Sequence, residues 1–198
     1  MVNLTAIRDH VVLMLNAGLS RALTYHNIHH TLDVAVQCLA IATEEGITDE
    51  QKLQDLQVAA LYHDTGFMFT YQQHEEKSCE IAREQLPGFG ITKKSIDNIC
   101  KLIMATKVPQ TPGNKLQKII CDADLDYLGR KDFFETGDKL RLELITYKFI
   151  TGENDWEKRQ LNFLQQHEYF TATSRKKRSP EKMKFIKQLV KHKKTETT

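Results

Sequence analysis

The dipeptide His63-Asp64 lies at the end of an apolar helical pattern and constrains this chain more than any other feature. Leu53, Leu56 and Ala60 recur at the three- and four-residue spacing of one buried helix face. The same face continues into His63 and Asp64, where apolar residues would be expected. Burying an ionised carboxylate costs several kcal/mol, roughly, unless a cation or hydrogen-bond donors compensate its charge. Two interpretations stay open: a metal ion bound by both side chains, or a His–Asp hydrogen bond that closes the helix.

Three of the eight histidines of the chain fall within one short segment, residues 25–34. His26 and His30 are four residues apart, so a helical backbone would place them on one face. His30 also continues into an apolar stripe that runs to Cys38 and beyond, which predicts that it points inward. His29 falls off this stripe and is expected at the surface. The pattern leaves open whether His30 is a ligand or a hydrogen-bonded core histidine.

Three aspartates alternate inside another apolar helical segment, at Asp122, Asp124 and Asp126. At about 100° per residue, Asp124 lies between Ile120 and Leu128 on the apolar side of the helix. Asp122 and Asp126 fall on the polar side. We therefore predict Asp124 as the inward carboxylate, with Asp122 and Asp126 solvated or supporting it from outside. An exchange of roles between Asp122 and Asp124 stays open.

Apolar residues recur at helical spacing along the chain, and its four prolines and nine glycines cluster mostly between the periodic segments. This predicts an all-α bundle of a single domain, which 198 residues suffice to build around a proper core. The net charge of +2 gives no general case for binding nucleic acid or membranes. The four cysteines lack paired spacing and are predicted to be reduced core residues. Without a signal-peptide pattern or a long apolar run, we expect a cytoplasmic protein with no membrane partner.

The C-terminal segment, residues 173–198, is strongly basic. Ser179 and Pro180 are predicted to start its helix, because proline is favoured at the first helical position. An apolar stripe runs through this helix, so we expect it to pack on the domain formed by residues 1–172 and to expose a solvated basic side. Binding of nucleic acid by that side is the less favoured alternative.

Four inward-facing ionisable groups from three separate segments remain to be explained: His30, His63, Asp64 and Asp124. Two imidazoles and two carboxylates suit an octahedral site for a divalent first-row metal ion, with two positions left for water. Open positions indicate a catalytic ion rather than a structural one.

The order His…His-Asp…Asp on a helical chain resembles the HD superfamily of metal-dependent phosphohydrolases, over roughly residues 25–130. The motif YHNxxHxxDV at residues 25–34 resembles the first-ligand motif of its cyclic-nucleotide phosphodiesterase branch. The segment ADL at residues 123–125 resembles the last-ligand segment of the superfamily. The resemblance implies an HD-type helical fold and hydrolysis of a phosphoester by metal-activated water.

Carried over by position, the resemblance implies four metal ligands: His30, His63, Asp64 and Asp124. It makes His26 the donor of a proton to the leaving oxygen, and it gives Asp64 a catalytic part as a bridge to a second ion. No histidine lies between His74 and Asp124, so the extra histidine ligands of the dinuclear branches are missing. This favours one ion, or a second ion held mostly by water. The sequence does not choose among Mn, Mg, Fe, Co, Ni and Zn.

Contacts to the substrate are predicted from four further side chains: His74, Thr106, Lys107 and Arg130. The alternative for the two cations is that they are ordinary solvated residues. The expected partner is a small phosphoester, which we predict to be a nucleotide, and the sequence leaves a homodimer open. A different class of function is a catalytically silent module that binds metal and nucleotide for regulation. His26 argues mildly against that class, because a pure binder needs no proton donor.

Overall fold

The apolar periodicity of the sequence is realised as a bundle of α-helices. The computed structural model of the protein describes residues 2–196, without the side chains of residue 154 and of residues 192–196. Within this range the chain forms nine α-helices, three short 3-10 turns and no β-strand, which confirms the predicted all-α fold. The α-helices are α1 (Leu4–Gly18), α2 (Ile28–Glu44), α3 (Glu50–Tyr62), α4 (His74–Gln85), α5 (Lys93–Ala105), α6 (Lys115–Asp124), α7 (Phe133–Thr146), α8 (Glu153–Gln166) and α9 (Ala172–Glu196), and the 3-10 turns are Thr65–Met68, Leu86–Phe89 and Asp126–Gly129. No helix of the described range combines the length and the hydropathy needed to cross a membrane.

Helix α3 forms the centre of the bundle. Its last residues, 58–62, are buried on every side, as expected for a helix with apolar residues all round. It packs against α1, α2 and α5, and α2 packs in turn against α6. This packing brings the first turn of α2, the end of α3 and the end of α6 to one end of the bundle. The four cysteines are buried free thiols, as predicted.

Helix α9 begins at Ala172, ahead of the predicted start at Ser179, and Pro180 lies inside it. Proline inside a helix removes one backbone hydrogen bond, so local preference alone would favour a break there. Contacts from Arg178 and Lys182 to the bundle hold the helix on both sides of the proline. The predicted helix start was wrong because this packing outweighs the local preference.

Several basic side chains of α9 are used inside the protein. Arg175 donates to the carbonyl oxygen of Tyr169 at 2.7 Å, and Lys177 forms an ion pair with Glu44. These contacts tie α9 to the bundle. The division into a domain of residues 1–172 and a basic segment of residues 173–198 stays a prediction.

Candidate active site

Two helix ends position the imidazoles of the candidate site. Asn27 caps α2, and its side-chain oxygen accepts hydrogen bonds from the backbone N–H groups of His29 (2.9 Å) and His30 (3.3 Å). His63 follows the last residue of α3, and its Nδ1 lies 2.8 Å from the carbonyl oxygen of Ala60. Because a carbonyl oxygen can only accept, Nδ1 of His63 carries a proton and Nε2 is left for the neighbouring helices.

The four predicted metal ligands lie together at this end of the bundle. One ligand atom from each of His30, His63 and Asp124 lies within 4.8 Å of the others. The Nε2 atoms of His30 and His63 are 3.4 Å apart. Oδ1 of Asp124 lies 3.2 Å from Nε2 of His30 and 3.4 Å from Nε2 of His63. Oδ2 of Asp64 lies 3.4 Å and 3.2 Å from the same two nitrogens. Two carboxylates therefore face two imidazoles across a small gap.

One carboxylate oxygen of this cluster lacks a hydrogen-bond donor among the described residues. Oδ2 of Asp64 is buried and, among the described residues, receives no hydrogen bond of good geometry, although both imidazoles are at ion-pair distance. Carboxylate oxygens and imidazole nitrogens that converge in this way are ligands of divalent first-row metal ions. The donor set therefore fits such an ion.

The same convergence sets the proton affinities in the cluster. Burial alone would lower the pKa of His30, but the carboxylates of Asp124 and Asp64 raise it to about 9. Burial also acts against the charge of His63, whose pKa these two carboxylates raise well above its usual value. Burial would raise the pKa of Asp124, but the two imidazoles lower it to about 2. The cluster therefore has a strong affinity for positive charge.

His26 lies at the site, although it does not share a helix face with His30 as the sequence predicted. It precedes α2 in the chain, yet its ring centroid lies 5.9 Å from that of His30. Its Nδ1 forms a hydrogen bond with Glu143 of α7. The fully buried Glu143 carboxylate also accepts from the backbone N–H groups of Tyr25 (2.9 Å) and His26 (3.0 Å) and from the hydroxyl of Tyr71 (2.9 Å). Burial would raise the pKa of Glu143, but the interaction with His26 lowers it below its usual value.

Sequence reasoning missed Glu143. Phe133, Gly137 and Leu140 recur at the spacing of a buried helix face, and Glu143 continues that face three residues later. An acid on an apolar stripe is the same pattern that drew attention to Asp64. It could therefore have been found from the sequence.

The ring of Phe67 packs against two of the predicted site histidines. Its ring stacks on that of His26 at a centroid distance of 4.2 Å and on that of His74 at 3.8 Å. Nδ1 of His74 lies 3.1 Å from the carbonyl oxygen of Tyr71, and its Nε2 lies 3.6 Å from Oδ1 of Asp64. His74 therefore borders the cluster from the start of α4.

A cavity of about 540 Å³ opens beside the cluster. Its inner end is formed by His26, Asp64, His74 and Asp124. Thr106 also lines the cavity, and the far wall comes from α7 and α8. Arg159 of α8 belongs to this wall, and no ion pair within the described residues involves it. The volume is in the range of small-molecule sites.

The two cations predicted to contact the substrate have carboxylate partners. Arg130 binds Asp33 at 2.6 Å and Asp132 at 2.9 Å, and it lines a second cavity of about 190 Å³ that also reaches the cluster. Lys107 forms an ion pair with Glu76. Substrate binding by these cations stays a prediction, as it does for Thr106 and His74.

Asp122 and Asp126 are buried, so the expectation that they are solvated was wrong. The Asp122 carboxylate accepts from the backbone N–H groups of Phe170 and Thr171, both at 2.8 Å, and from the Thr171 hydroxyl at 2.6 Å. Asp126 forms a bidentate ion pair with Arg178, at 2.7 Å and 2.9 Å. The residues before α9 and the start of α9 cover the polar side of α6. The periodicity of α6 cannot reveal this covering, because it comes from a distant part of the chain.

These features define a class of protein: a helical bundle in which a histidine, a His-Asp dipeptide and a later aspartate converge beside a cavity. A family model described as HD domain matches residues 27–126, and this range holds all four converging residues. The chain belongs to the HD domain family, as the resemblance implied.

Two solved structures share the fold over nearly the whole chain. A predicted HD superfamily hydrolase from an uncultured Thermotogales bacterium is 22% identical, with a TM-score of 0.60 and coverage of 96% of this chain and 92% of its own. Bacillus subtilis YpgQ, solved in complex with ADP, is 20% identical, with a TM-score of 0.64 and coverage of 96% of this chain and 97% of its own. At these identities the likeness shows the fold alone. The sequence matches no curated protein.

Proposed function

We propose that the protein is a divalent-metal-dependent phosphohydrolase that cleaves a phosphoester of a nucleotide or another small molecule. The observation that carries this proposal is Oδ2 of Asp64, which is buried without a hydrogen bond from the described residues, beside two imidazoles and a 540 Å³ cavity. Membership in the HD domain family supports hydrolysis, as does the fold shared with an HD superfamily hydrolase. The ADP in the YpgQ structure supports a nucleotide as the substrate.

The proposed ligands of the ion are His30, His63, Asp64 and Asp124. These side chains would hold a divalent cation, which would supply Lewis-acid chemistry: a lower pKa for a bound water molecule and compensation of negative charge on the phosphoryl oxygens. Oδ1 of Asp64 and Nε2 of His74 are 3.6 Å apart at the cavity, where both can orient a water molecule by hydrogen bonds. Asp64 is therefore proposed to orient this water molecule in addition to binding the ion.

Proton transfer to the leaving oxygen is assigned to His26. The Glu143 carboxylate accepts the hydrogen bond from Nδ1–H of His26, so the second ring nitrogen carries the mobile proton. Glu143 is therefore a positioning residue that fixes the ring and its tautomer.

Arg159 is proposed as the main cation of the cavity. Arg130 and Lys107 are largely neutralised by their carboxylate partners, whereas Arg159 forms no close ion pair among the described residues and interacts with the charge of Asp155 from farther away. A guanidinium group in a cavity can bind a phosphate oxygen or a carbonyl oxygen of the substrate. Thr106 and His74 line the same cavity and are proposed to contact the substrate nearer the ion.

Elemental analysis of the purified protein, followed by assays of phosphate release, tests this function. The assays use a generic phosphodiester and a phosphomonoester with added Mn²⁺, Mg²⁺, Co²⁺ or Ni²⁺. His30→Ala should abolish bound metal and turnover together. His29→Ala is the matched control, because His29 is the exposed neighbour in the same helical turn, and it should change neither. Metal and nucleotide binding without phosphate release under any ion would indicate the silent regulatory module instead.

A further inference from the structure

Two cysteines oppose each other where α4 packs against α5, in a part of the bundle that contributes no residue to the candidate active site. The thiol of Cys79 lies 3.5 Å from the carbonyl oxygen of Cys100, and the thiol of Cys100 lies 3.7 Å from the carbonyl oxygen of Cys79. Both are buried free thiols. Because each sulfur contacts the main chain of the other residue, the two side chains are within reach of a disulfide.

The residue before Cys79 fixes this part of α4. Oγ of Ser78 donates a hydrogen bond to the carbonyl oxygen of His63 at 2.7 Å and accepts one from the backbone N–H of Gly66 at 2.8 Å. A Cβ atom at Gly66 would lie 2.0 Å from the carbonyl oxygen of His74, so the turn after α3 is in close contact with the start of α4. These contacts hold α4 in place and keep the two thiols opposed.

A cavity of about 480 Å³ gives the two thiols different access to small molecules. Cys100 lines this cavity, whereas Cys79 does not. The cations Arg83 and Lys101 and the carboxylate of Asp97 also line it. A small polar molecule that enters from solvent therefore meets Cys100 first, with Cys79 behind it. This is the arrangement of an attacking cysteine and a resolving cysteine.

Cys100 is also the more acidic thiol of the pair. Its hydrogen bond with the thiol of Cys79 lowers the pKa of Cys100 to about 7, although burial opposes this shift, and the positive charge of Arg83 lowers the pKa further. The same hydrogen bond, together with burial, raises the pKa of Cys79 well above its usual value. Thiolates rather than thiols attack oxidants, so the sulfur that lines the cavity is also the more reactive one.

We propose that Cys79 and Cys100 form a redox-sensitive dithiol, which a small hydroperoxide oxidises to a disulfide. The thiolate of Cys100 attacks one peroxide oxygen, the O–O bond breaks, and the other oxygen leaves and takes up a proton as water or an alcohol. Cys100 is then a sulfenic acid. The sulfur of Cys79 loses its proton and attacks the sulfenic sulfur, the S–O bond breaks, and the hydroxyl leaves with a proton as water. The two thiols together lose two electrons and two protons, and the hydroperoxide takes them up.

Peptide mass spectrometry tests the pair directly. Reduced, full-length protein is treated with hydrogen peroxide, the peroxide is removed with catalase, and the protein is denatured in iodoacetamide and digested. We expect a peptide pair joined by Cys79 and Cys100 that dithiothreitol separates. Cys38 and Cys121 are the internal control, because they are buried and do not line the cavity, and both should be alkylated. Absence of the Cys79–Cys100 disulfide, or equally fast oxidation of Cys38 and Cys121, would overturn the proposal.

Two variants test the order of the steps. In Cys79→Ala the sulfenic acid on Cys100 cannot be resolved, so dimedone should trap it there. In Cys100→Ala the remaining Cys79 should stay unmodified by dimedone over the same time, because it does not line the cavity. Trapping on Cys79 as fast as on Cys100 would refute the assigned order. The peptide map of the wild type needs neither variant, so the pair itself stays testable if one of them does not fold.

Arg83→Gln tests the charge beside the attacking sulfur. Disulfide formation should slow by roughly threefold, because fewer Cys100 side chains are thiolates at neutral pH and solvent screens the exposed Arg83. Lys94→Gln removes the same charge from an exposed position of α5 that does not line the cavity, and it should leave the rate unchanged. Equal slowing by both substitutions would refute the role of Arg83. None of these measurements depends on phosphate release, so failure of the proposed function would leave this result unaffected.

Discussion

Two clusters of buried charge lie on opposite sides of α6, and they differ in how their charges are satisfied. On one side, Asp124 faces the imidazoles of His30 and His63, and the neighbouring Asp64 has an oxygen that receives no hydrogen bond from the described residues. On the other side, Asp122 accepts three hydrogen bonds from the backbone and hydroxyl groups that precede α9.

The difference teaches that burial of a carboxylate does not by itself mark a functional site. A carboxylate with a full set of protein donors is a structural anchor, because its desolvation is already compensated. Carboxylates and imidazoles that face one another instead take up positive charge, either as protons on the imidazoles or as a metal ion.

We call His30, His63, Asp64 and Asp124 the metal cluster. The α9 anchor comprises the hydrogen bonds of Asp122 with the residues before α9 and those of Lys182 with the end of α8 beside His167. The two should respond differently to mutation, to pH and to added metal.

The largest effect is expected from His26→Ala, on the side of the metal cluster. The substitution should lower kcat roughly a hundredfold or more, because the leaving oxygen loses its proton donor. Bound metal, measured by elemental analysis, should not change, because His26 is not among the converging ligands. Full activity of this variant on a substrate with a poor leaving group would refute the proton-donor role.

Lys182→Met tests the α9 anchor, through stability rather than activity. The buried Lys182 ammonium donates to the carbonyl oxygens of Leu164 and His167 at the end of α8. Methionine keeps the packing but leaves these oxygens without their donor, so the free energy of unfolding in urea should fall by about 1–3 kcal/mol. Lys184→Met is the control, because Lys184 is exposed and forms an ion pair with Glu181 on the same helix, so its loss should matter little. Loss of bound metal in Lys182→Met, with stability unchanged, would reverse the assignment of the two clusters.

The metal cluster and the α9 anchor should also respond to pH with opposite sign. Burial and the charge of Lys182 lower the pKa of His167 from 6.5 to about 3, so its contribution to stability is present above pH 6.5 and is lost as the pH falls towards 3. The pKa of His30 is raised from 6.5 to about 9, so its contribution is present below pH 6.5 and is lost as the pH rises through 9.

Urea unfolding of chelator-treated protein across this pH range measures both losses. His167→Asn should reduce the loss on the acid side only. Saturating Mn²⁺ should reduce the loss on the alkaline side only, because the ion then supplies the positive charge that the protons supply below pH 9. An alkaline loss that Mn²⁺ leaves unchanged would show that the metal binds elsewhere.

The smallest effect is expected from Arg159→Gln. Arg159 is exposed, so solvent screens its interaction with the substrate, and KM should rise only by roughly threefold. Lys158→Gln changes the same charge on the neighbouring exposed residue, which does not line the cavity, and should leave KM unaltered. Equal effects of the two substitutions would indicate a general influence of charge rather than a contact.

The sequence allowed the converging residues to be predicted because their inward direction depends on each helix alone. His63 and Asp64 continue an apolar face of α3, and Asp124 lies on the apolar side of α6. Family resemblance then related the three segments to one another. What could not be predicted was the environment of the polar sides, because it depends on which distant helix covers them.

Asp122 and Pro180 illustrate this limit. The periodicity of α6 assigns Asp122 to solvent, but the residues before α9 cover it and supply its hydrogen bonds. The local signal at Pro180 predicts a helix start, but the contacts of α9 with the bundle keep the helix continuous. Arg159 was overlooked for a related reason, since a cation on an exposed helix is usually solvated.

The central claim is that the converging side chains hold a divalent cation beside the cavity. Calorimetric titration of Mn²⁺ into chelator-treated wild type, Asp124→Asn and Asp122→Asn tests it most directly. We predict one strong site in the wild type, affinity lower by roughly a hundredfold or more in Asp124→Asn, and near wild-type affinity in a less stable Asp122→Asn protein. Equal Mn²⁺ affinity of the wild type and Asp124→Asn would contradict the account.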